Sequence, residues 1–146
     1  MAEQVQPIDT SPQPILSFLK LGAKPHLEGQ KCVCGAIYLD PKRVACSKCG
    51  EAGKLSPVPL SDQGKVYVFS VVHQSFPGIK TPYITAIVDL PEGVSVRANL
   101  IDVDPMQAQK EPQKIFNMPV ELVTSVTAKD RQGRDVIAFS YRPSKN

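Results

Sequence analysis

Gln30-Lys31-Cys32-Val33-Cys34-Gly35-Ala36-Ile37-Tyr38-Leu39-Asp40-Pro41-Lys42-Arg43-Val44-Ala45-Cys46-Ser47-Lys48-Cys49-Gly50-Glu51-Ala52-Gly53 holds every cysteine of a 146-residue chain. The thiols fall into two close pairs, Cys32 with Cys34 and Cys46 with Cys49, and a glycine follows each pair. In a reducing compartment such clustering points to thiolates on a metal rather than to disulfides. A tight knuckle that turns backbone amides toward sulfur often needs positive φ at its end, which Gly35 and Gly50 can adopt. Zinc takes four soft or borderline ligands in a tetrahedron, and two chelating pairs supply them with little loop-closure cost. Four cysteines leave no open coordination place for water or substrate, so the expected role is structural. The first pair is C-x-C, one residue shorter than the second. The stretch reads as two knuckles joined by a β-hairpin from Ala36 to Leu39 that turns at Asp40-Pro41, making a zinc ribbon over residues 30–54.

Outward from the ribbon, the C-terminal side changes to strands at turn-spaced intervals: Lys65 to His73, Tyr83 to Leu90, Val94 to Ile101, Val120 to Lys129 and Arg134 to Tyr141. Pro91-Glu92-Gly93 and Asp130-Arg131-Gln132-Gly133 read as hairpin turns, and Asp104 to Lys114 as a helical turn. Five antiparallel strands with an irregular element after the third predict a small OB-type barrel over residues 55–146; an open sandwich is the alternative. On the N-terminal side, residues 1–29 read as a tail and a docking helix. Residues 1–13 are polar and proline-broken, with no fixed structure of their own expected. Thr10 or Ser11 then offers an N-cap to a short helix through Ile15, Leu16, Phe18, Leu19 and Leu21. So short a helix is marginal alone and needs something to pack against.

Composition bounds the function classes. Fourteen prolines, nine glycines and no tryptophan suit many turns and short elements. No basic, apolar leader opens the chain, and runs such as Val66 to Val72 fall far short of the ~18–20 residues that cross a bilayer. A soluble, cytoplasmic protein with no membrane partner is expected. The net charge of +3 is mild and scattered, so charge alone does not call for nucleic acid.

The order of parts resembles the rubredoxin-like zinc-ribbon plus OB-fold family, whose members serve as accessory subunits of thiolase-type and other acyl-CoA enzymes. The resemblance spans Pro14 to Pro143 and rests on Cys32 to Gly50, Gly64-Lys65-Val66-Tyr67-Val68-Phe69-Ser70, Phe76-Pro77-Gly78-Ile79-Lys80-Thr81-Pro82-Tyr83 and Met118-Pro119-Val120-Glu121-Leu122. Two departures are the shortened first knuckle and Asn117, where the family usually has glycine; asparagine tolerates positive φ, so the turn can survive. The resemblance implies a structural Zn2+ on Cys32, Cys34, Cys46 and Cys49. It also implies a thiolase-fold catalytic partner in a two-plus-two heterotetramer, and coenzyme A or acyl-CoA shared with that partner. Within the family it points toward anaerobic toluene breakdown through benzoylsuccinyl-CoA.

The loop from Phe76 to Tyr83 is the candidate functional surface. Prolines stiffen it, Gly78 allows a sharp turn, and Lys80 can meet a phosphate; with Phe76 and Tyr83 these form the expected coenzyme A contacts. Covering the barrel end is the plainer role for the same aromatics. No catalytic residue is expected in this chain. His26 and His73 have no nucleophile or acid placed beside them by any motif, and Asp89, Glu92, Asp102 and Asp104 read as turn and strand-end acids. Docking to the partner is expected from Ile15, Phe18, Leu19 and the ribbon. Two other function classes stay open. A nucleic-acid-binding OB module would use Tyr67, Phe69, Phe76 and Tyr83 with Lys65, Lys80 and Arg97, although alternation puts Tyr67 and Phe69 together on a face that serves equally as core. A rubredoxin-like electron carrier would hold iron, but only Tyr38 stands near as an aromatic shell, and a reactive dithiol would call for a β-α-β pattern that does not follow.

Overall fold

The computed structural model describes residues 11–144. Its strands are β1 (Gln13–Pro14), β2 (Leu19–Lys20), β3 (His26–Cys32), β4 (Ile37–Tyr38), β5 (Leu55–Pro59), β6 (Gln63–Val72), β7 (Tyr83–Asp89), β8 (Ser95–Leu100), β9 (Pro119–Lys129) and β10 (Asp135–Pro143). One helix, α1 (Pro105–Lys110), and a 3-10 turn at Pro112–Lys114 lie between β8 and β9. Asp104 caps α1, its carboxylate accepting from the Met106 amide at 3.0 Å, and Pro105 suits the first turn because its missing N–H would be an orphan there anyway.

Strands β6 to β10 close a five-stranded barrel. Neighbouring strands run β6-β7-β8-β10-β9, and β9 returns to pair β6. The β8–β10 contact is the parallel one, with Tyr141 opposite Leu100. The five strands, their two hairpins and the helical turn follow the sequence expectation, because β-branched residues alternate toward one interior. Val66, Val88, Val96, Val120, Ile84 and Tyr141 are all fully buried there. Asn117 takes φ 61 ahead of Met118, as its tolerance of that region allows.

Two features depart from the expectation. The predicted helix over Ile15–Leu21 is not formed. Instead β1 pairs parallel with β10 (Gln13 with Val136, Pro14 with Ile137), and β2 pairs with β3 (Leu19 with Leu27). Thr10, one proposed N-cap, and most of the expected tail lie outside the described residues. The reason is a matter of magnitudes: a helix of about two turns lacks the length to repay nucleation, whereas complete burial of Leu19 contributes ~1.5–3 kcal/mol. The second departure is a bulge in β6. Val66 pairs with Val88 and Val68 with Ile87, leaving Tyr67 as the extra residue. The inward parity shifts there, so Phe69 packs against the core and Tyr67 stands 61% exposed. They do not share a face.

The ribbon joins the barrel through one continuous apolar cluster that includes Leu19, Leu27 and Leu60 alongside the barrel valines. Strand β5 pairs with β3 over five residues, from Glu28 with Pro59 to Cys32 with Leu55. The segment preceding the ribbon packs the same way, Phe18 meeting Phe139 edge-on at 5.9 Å.

Candidate metal centre and the exposed loop

Each cysteine pair sits at the tip of its own hairpin. The first knuckle turns between β3 and β4, whose ladder pairs Gln30 with Tyr38 and Lys31 with Ile37. The second is spanned by a bridge between Ala45 and Ala52. The ladders therefore cross the knuckles rather than joining one knuckle to the other. The turn at Asp40 is present, its carboxylate accepting from the Lys42 amide at 2.9 Å. Gly35 and Gly50 adopt φ 99 and φ 78, closing the knuckles with bonds from Gly35 N to Cys32 O at 2.9 Å and from Gly50 N to Cys46 O at 2.9 Å.

The knuckles bring the four sulfurs within 4.8 Å of one another. Cys32 Sγ lies 3.6 Å from Cys49 Sγ and Cys34 Sγ lies 3.6 Å from Cys46 Sγ. A tetrahedron with metal–sulfur bonds of ~2.3 Å has edges of about 3.8 Å, so these spacings fit one metal ion. Cys32 and Cys46 are buried, while Cys34 and Cys49 face outward.

The thiols do not ionise alike. The Tyr38 hydroxyl and the Cys49 amide pull Cys46 down to about 6. The Glu51 amide lowers Cys49, but desolvation of its sulfur at the crowded cluster and the Cys32 thiol outweigh it and push Cys49 up to about 12, although the residue itself is exposed. Crowded thiolates repel, and a cation at their centre removes that penalty. Tyr38, near the site in sequence, makes a sulfur contact that sequence alone does not reveal. From β4 its hydroxyl lies 3.3 Å from Cys46 Sγ and 3.0 Å from Ser47 Oγ, and Arg43 lies 3.8 Å from its ring centroid. Such outer contacts fix the orientation of a ligand sulfur.

The Phe76–Tyr83 loop stands at the end of β6. Phe76 is 80% exposed and Ile79 51%, Lys80 is exposed, and Gly78 takes φ 92 in a turn closed by Ile79 N to Phe76 O at 3.2 Å. Tyr83, where β7 begins, departs from these three. It lines a groove of about 500 Å3 with Leu16, Phe18, Leu39, Arg97 and Asn99, between the barrel face and the segment preceding the ribbon. Of the expected docking residues, Ile15 is 49% exposed and Phe18 partly buried, but Leu19 is wholly inside and belongs to the core. The ribbon does present apolar surface at Val33 and Val44, 78% and 76% exposed.

The histidines stand apart from any nucleophile. His73 Nε2 donates to Gln109 Oε1 at 2.8 Å and His26 Nδ1 to the Lys24 carbonyl at 3.1 Å. The acids serve turns: Asp89 accepts from Ser95 Oγ at 2.6 Å, and Glu92 from the Ser61 amide at 2.6 Å. No helix among the described residues is long and apolar enough to cross a membrane.

Comparison with known proteins matches the barrel by a family model and most of the chain by relatives. The family described as "ChsH2, C-terminal OB-fold domain" matches residues 57–125. A benzoylsuccinyl-CoA thiolase subunit BbsA of Geobacter metallireducens is 35% identical over 130 residues, covering 88% of this chain and 82% of that one. A DUF35 domain-containing scaffold protein of Methanothermobacter thermautotrophicus is 36% identical over 83 residues, which are 55% of this chain and 62% of that protein's length. Among solved structures, the Ltp2-ChsH2(DUF35) aldolase superposes with a TM-score of 0.57 at 28% identity, covering 81% of this chain and 84% of that one. With a barrel, a four-thiol cluster and relatives that share most of its length, the chain belongs to the DUF35/ChsH2 OB-fold family.

Proposed function

We propose that this chain is a non-catalytic accessory subunit that docks on a thiolase-fold catalytic chain and helps shape its coenzyme A site, with zinc as the structural tie of the ribbon. The observation that carries the reading is the Phe76–Lys80 loop, where a phenylalanine and an isoleucine stand largely in solvent beside an exposed lysine. Exposed apolar residues grouped on a stiffened loop mark an interaction surface. Relatives named as thiolase subunits, and a relative solved as part of an aldolase, support a catalytic partner.

In this reading Cys32, Cys34, Cys46 and Cys49 hold zinc, whose chemistry is to cross-link the knuckles. Lys80 supplies a flexible positive charge toward a phosphate of coenzyme A, while Phe76, Gly78 and Tyr83 shape the approach. Claisen cleavage belongs to the partner, whose cysteine holds the acyl group while coenzyme A attacks. The names of the relatives favour benzoylsuccinyl-CoA as the substrate, while anaerobic toluene degradation, the cytoplasm and a two-plus-two assembly rest on the family resemblance alone. The nucleic-acid reading loses its aromatic platform, because Tyr67 and Phe69 face opposite ways.

The test is reconstitution. The purified chain alone should turn over no acyl-CoA, and activity should appear when it is mixed with a thiolase-fold chain that co-purifies with it from its native source. Phe76→Ala should weaken the complex by ~1–2 kcal/mol without altering the fold. Full thiolase activity of the catalytic chain alone, indifferent to added subunit, would overturn the proposal.

A further inference from the structure

We infer that the outer edge of β9, from Val123 to Lys129, pairs antiparallel with the same edge of a second copy of this chain, carrying the β10–β9 sheet across a two-fold axis. The barrel leaves this edge open. β6 pairs with β9 only at Pro119, Val120 and Glu121, and the next amide, Leu122 N, donates to Asp62 O at 2.7 Å. β10 accompanies the other side of β9 as far as Lys129. Beyond Leu122, one row of β9 amides and carbonyls thus faces away from the sheet, and no described strand lies along it. Ser125 to Lys129 are all exposed, Val126 by 58%.

Natural edge strands are protected by charge, proline or brevity. Val123-Thr124-Ser125-Val126-Thr127-Ala128 has neither charge nor proline, and four of these residues are β-branched. Lys129, the first charge after it, is tied back toward β10 by Asp135 at 3.1 Å. One partial protection exists: the register slip opposite Val136 leaves Thr127 without an opposite residue on β10, which twists the far end and favours pairing nearer Val123–Val126.

A second copy fits this edge for reasons of symmetry and charge. Antiparallel strands related by a two-fold make an isologous contact, in which each copy satisfies the other's backbone groups. With no charge between Glu121 and Lys129, every register within the segment sets only methyls and hydroxyls of Val, Thr, Ser and Ala opposite one another, and such pairs are favourable. A charged partner strand would find no counter-charge among the side chains of Ser125 to Ala128, since Lys24, Asp62 and Arg142 stand beside Val123 and Thr124 only and Lys24 and Asp62 pair with each other at 3.0 Å. Two paired strands bury less than the roughly 1,000 Å2 expected of a stable interface, so the isolated chain should associate weakly and reversibly.

Sedimentation velocity of the full-length, zinc-loaded chain, without any partner, from about 1 µM to 1 mM should show a monomer–dimer equilibrium. Hydrogen exchange at the two extremes should slow at least several-fold in the peptide covering 123–128 on concentration. Val126→Lys, at an exposed position, should keep the zinc content and melting curve yet stay monomeric; Ser125→Glu should do the same. A chain that stays monomeric throughout, or dimerises without protection at 123–128, overturns the inference. So does a Val126→Lys chain that dimerises normally. Protection that appears only when the catalytic chain is added would assign the edge to that chain instead.

Discussion

Gly64 lies where β6 passes over the end of β7, and a methyl group there has nowhere to go. A Cβ built on it would lie 2.6 Å from Val88 Cγ1, 2.9 Å from the Asp89 carbonyl oxygen and 3.0 Å from Leu90 Cδ2. Two of the three neighbours cannot yield cheaply. Val88 is fully buried, and the Asp89 backbone is held in register opposite Lys65. Overpacking of this kind costs ~1–3 kcal/mol. Loss of glycine's freedom in the unfolded chain returns ~0.4–1 kcal/mol, so Gly64→Ala should destabilise by a net ~1–2 kcal/mol, lowering the melting temperature by roughly 3–8 °C. Gly22→Ala is the matched control, because nothing lies within 4 Å of its Cβ position. Differential scanning calorimetry with zinc present measures both. A Gly64→Ala melting temperature equal to or above that of the parent, with Gly22→Ala at or slightly above the parent, would refute the close strand approach.

Cys46→Ser should abolish stoichiometric zinc by metal analysis while far-ultraviolet circular dichroism retains the barrel signal; full zinc retention would remove Cys46 from the site. Lys80→Ala in the reconstituted complex should raise the Michaelis constant for coenzyme A by roughly 5–30-fold, equivalent to ~1–2 kcal/mol, with assembly and zinc content unchanged; an unaltered constant would make Lys80 a solvated loop residue. Asp130, whose carboxylate accepts from the Arg134 amide and pairs with its guanidinium at 2.7 Å, is held below its ordinary value of 3.8. A depressed carboxyl pKa stabilises the fold above the ordinary value and stops doing so as pH falls through the folded one. The melting-temperature gap between the parent and Asp130→Ala should therefore be largest near neutrality and shrink below pH 3.8.

The barrel was legible because its signals are local. Runs such as Tyr83–Asp89 are strand-length and rich in β-branched and aromatic residues, and Pro91-Glu92-Gly93 and Asp130–Gly133 punctuate them. The cysteine cluster was legible for the same reason, two short spacings each followed by glycine. What escaped the reading depends on distant partners. Ile15–Leu21 carries a helix-like apolar pattern, yet Leu27 draws Leu19 into a strand, and Val136 and Ile137 draw in Gln13 and Pro14. The bulge at Tyr67 arises from the register of β6 on β7, which no residue of β6 announces, and it inverts the face of every side chain beyond it. The nucleic-acid reading names Arg97 and Tyr83 together, but that they line one groove with Leu16, Phe18 and Leu39 comes only from the fold.

The parallel pairing of β1 with β10 also sets an order of events as the chain leaves the ribosome. Gln13 waits for Val136, a partner synthesised roughly 120 residues later, and at ~5–20 residues per second that delay is several seconds or more. The cysteines, all within one short stretch, emerge together long before. Metal capture by these thiols can therefore precede sealing of the barrel, and the ribbon can be complete while β1 is still unpaired. A chain released early, lacking β10, would carry a formed metal centre beside an unsealed sheet, a species that zinc content alone would not distinguish from the finished protein.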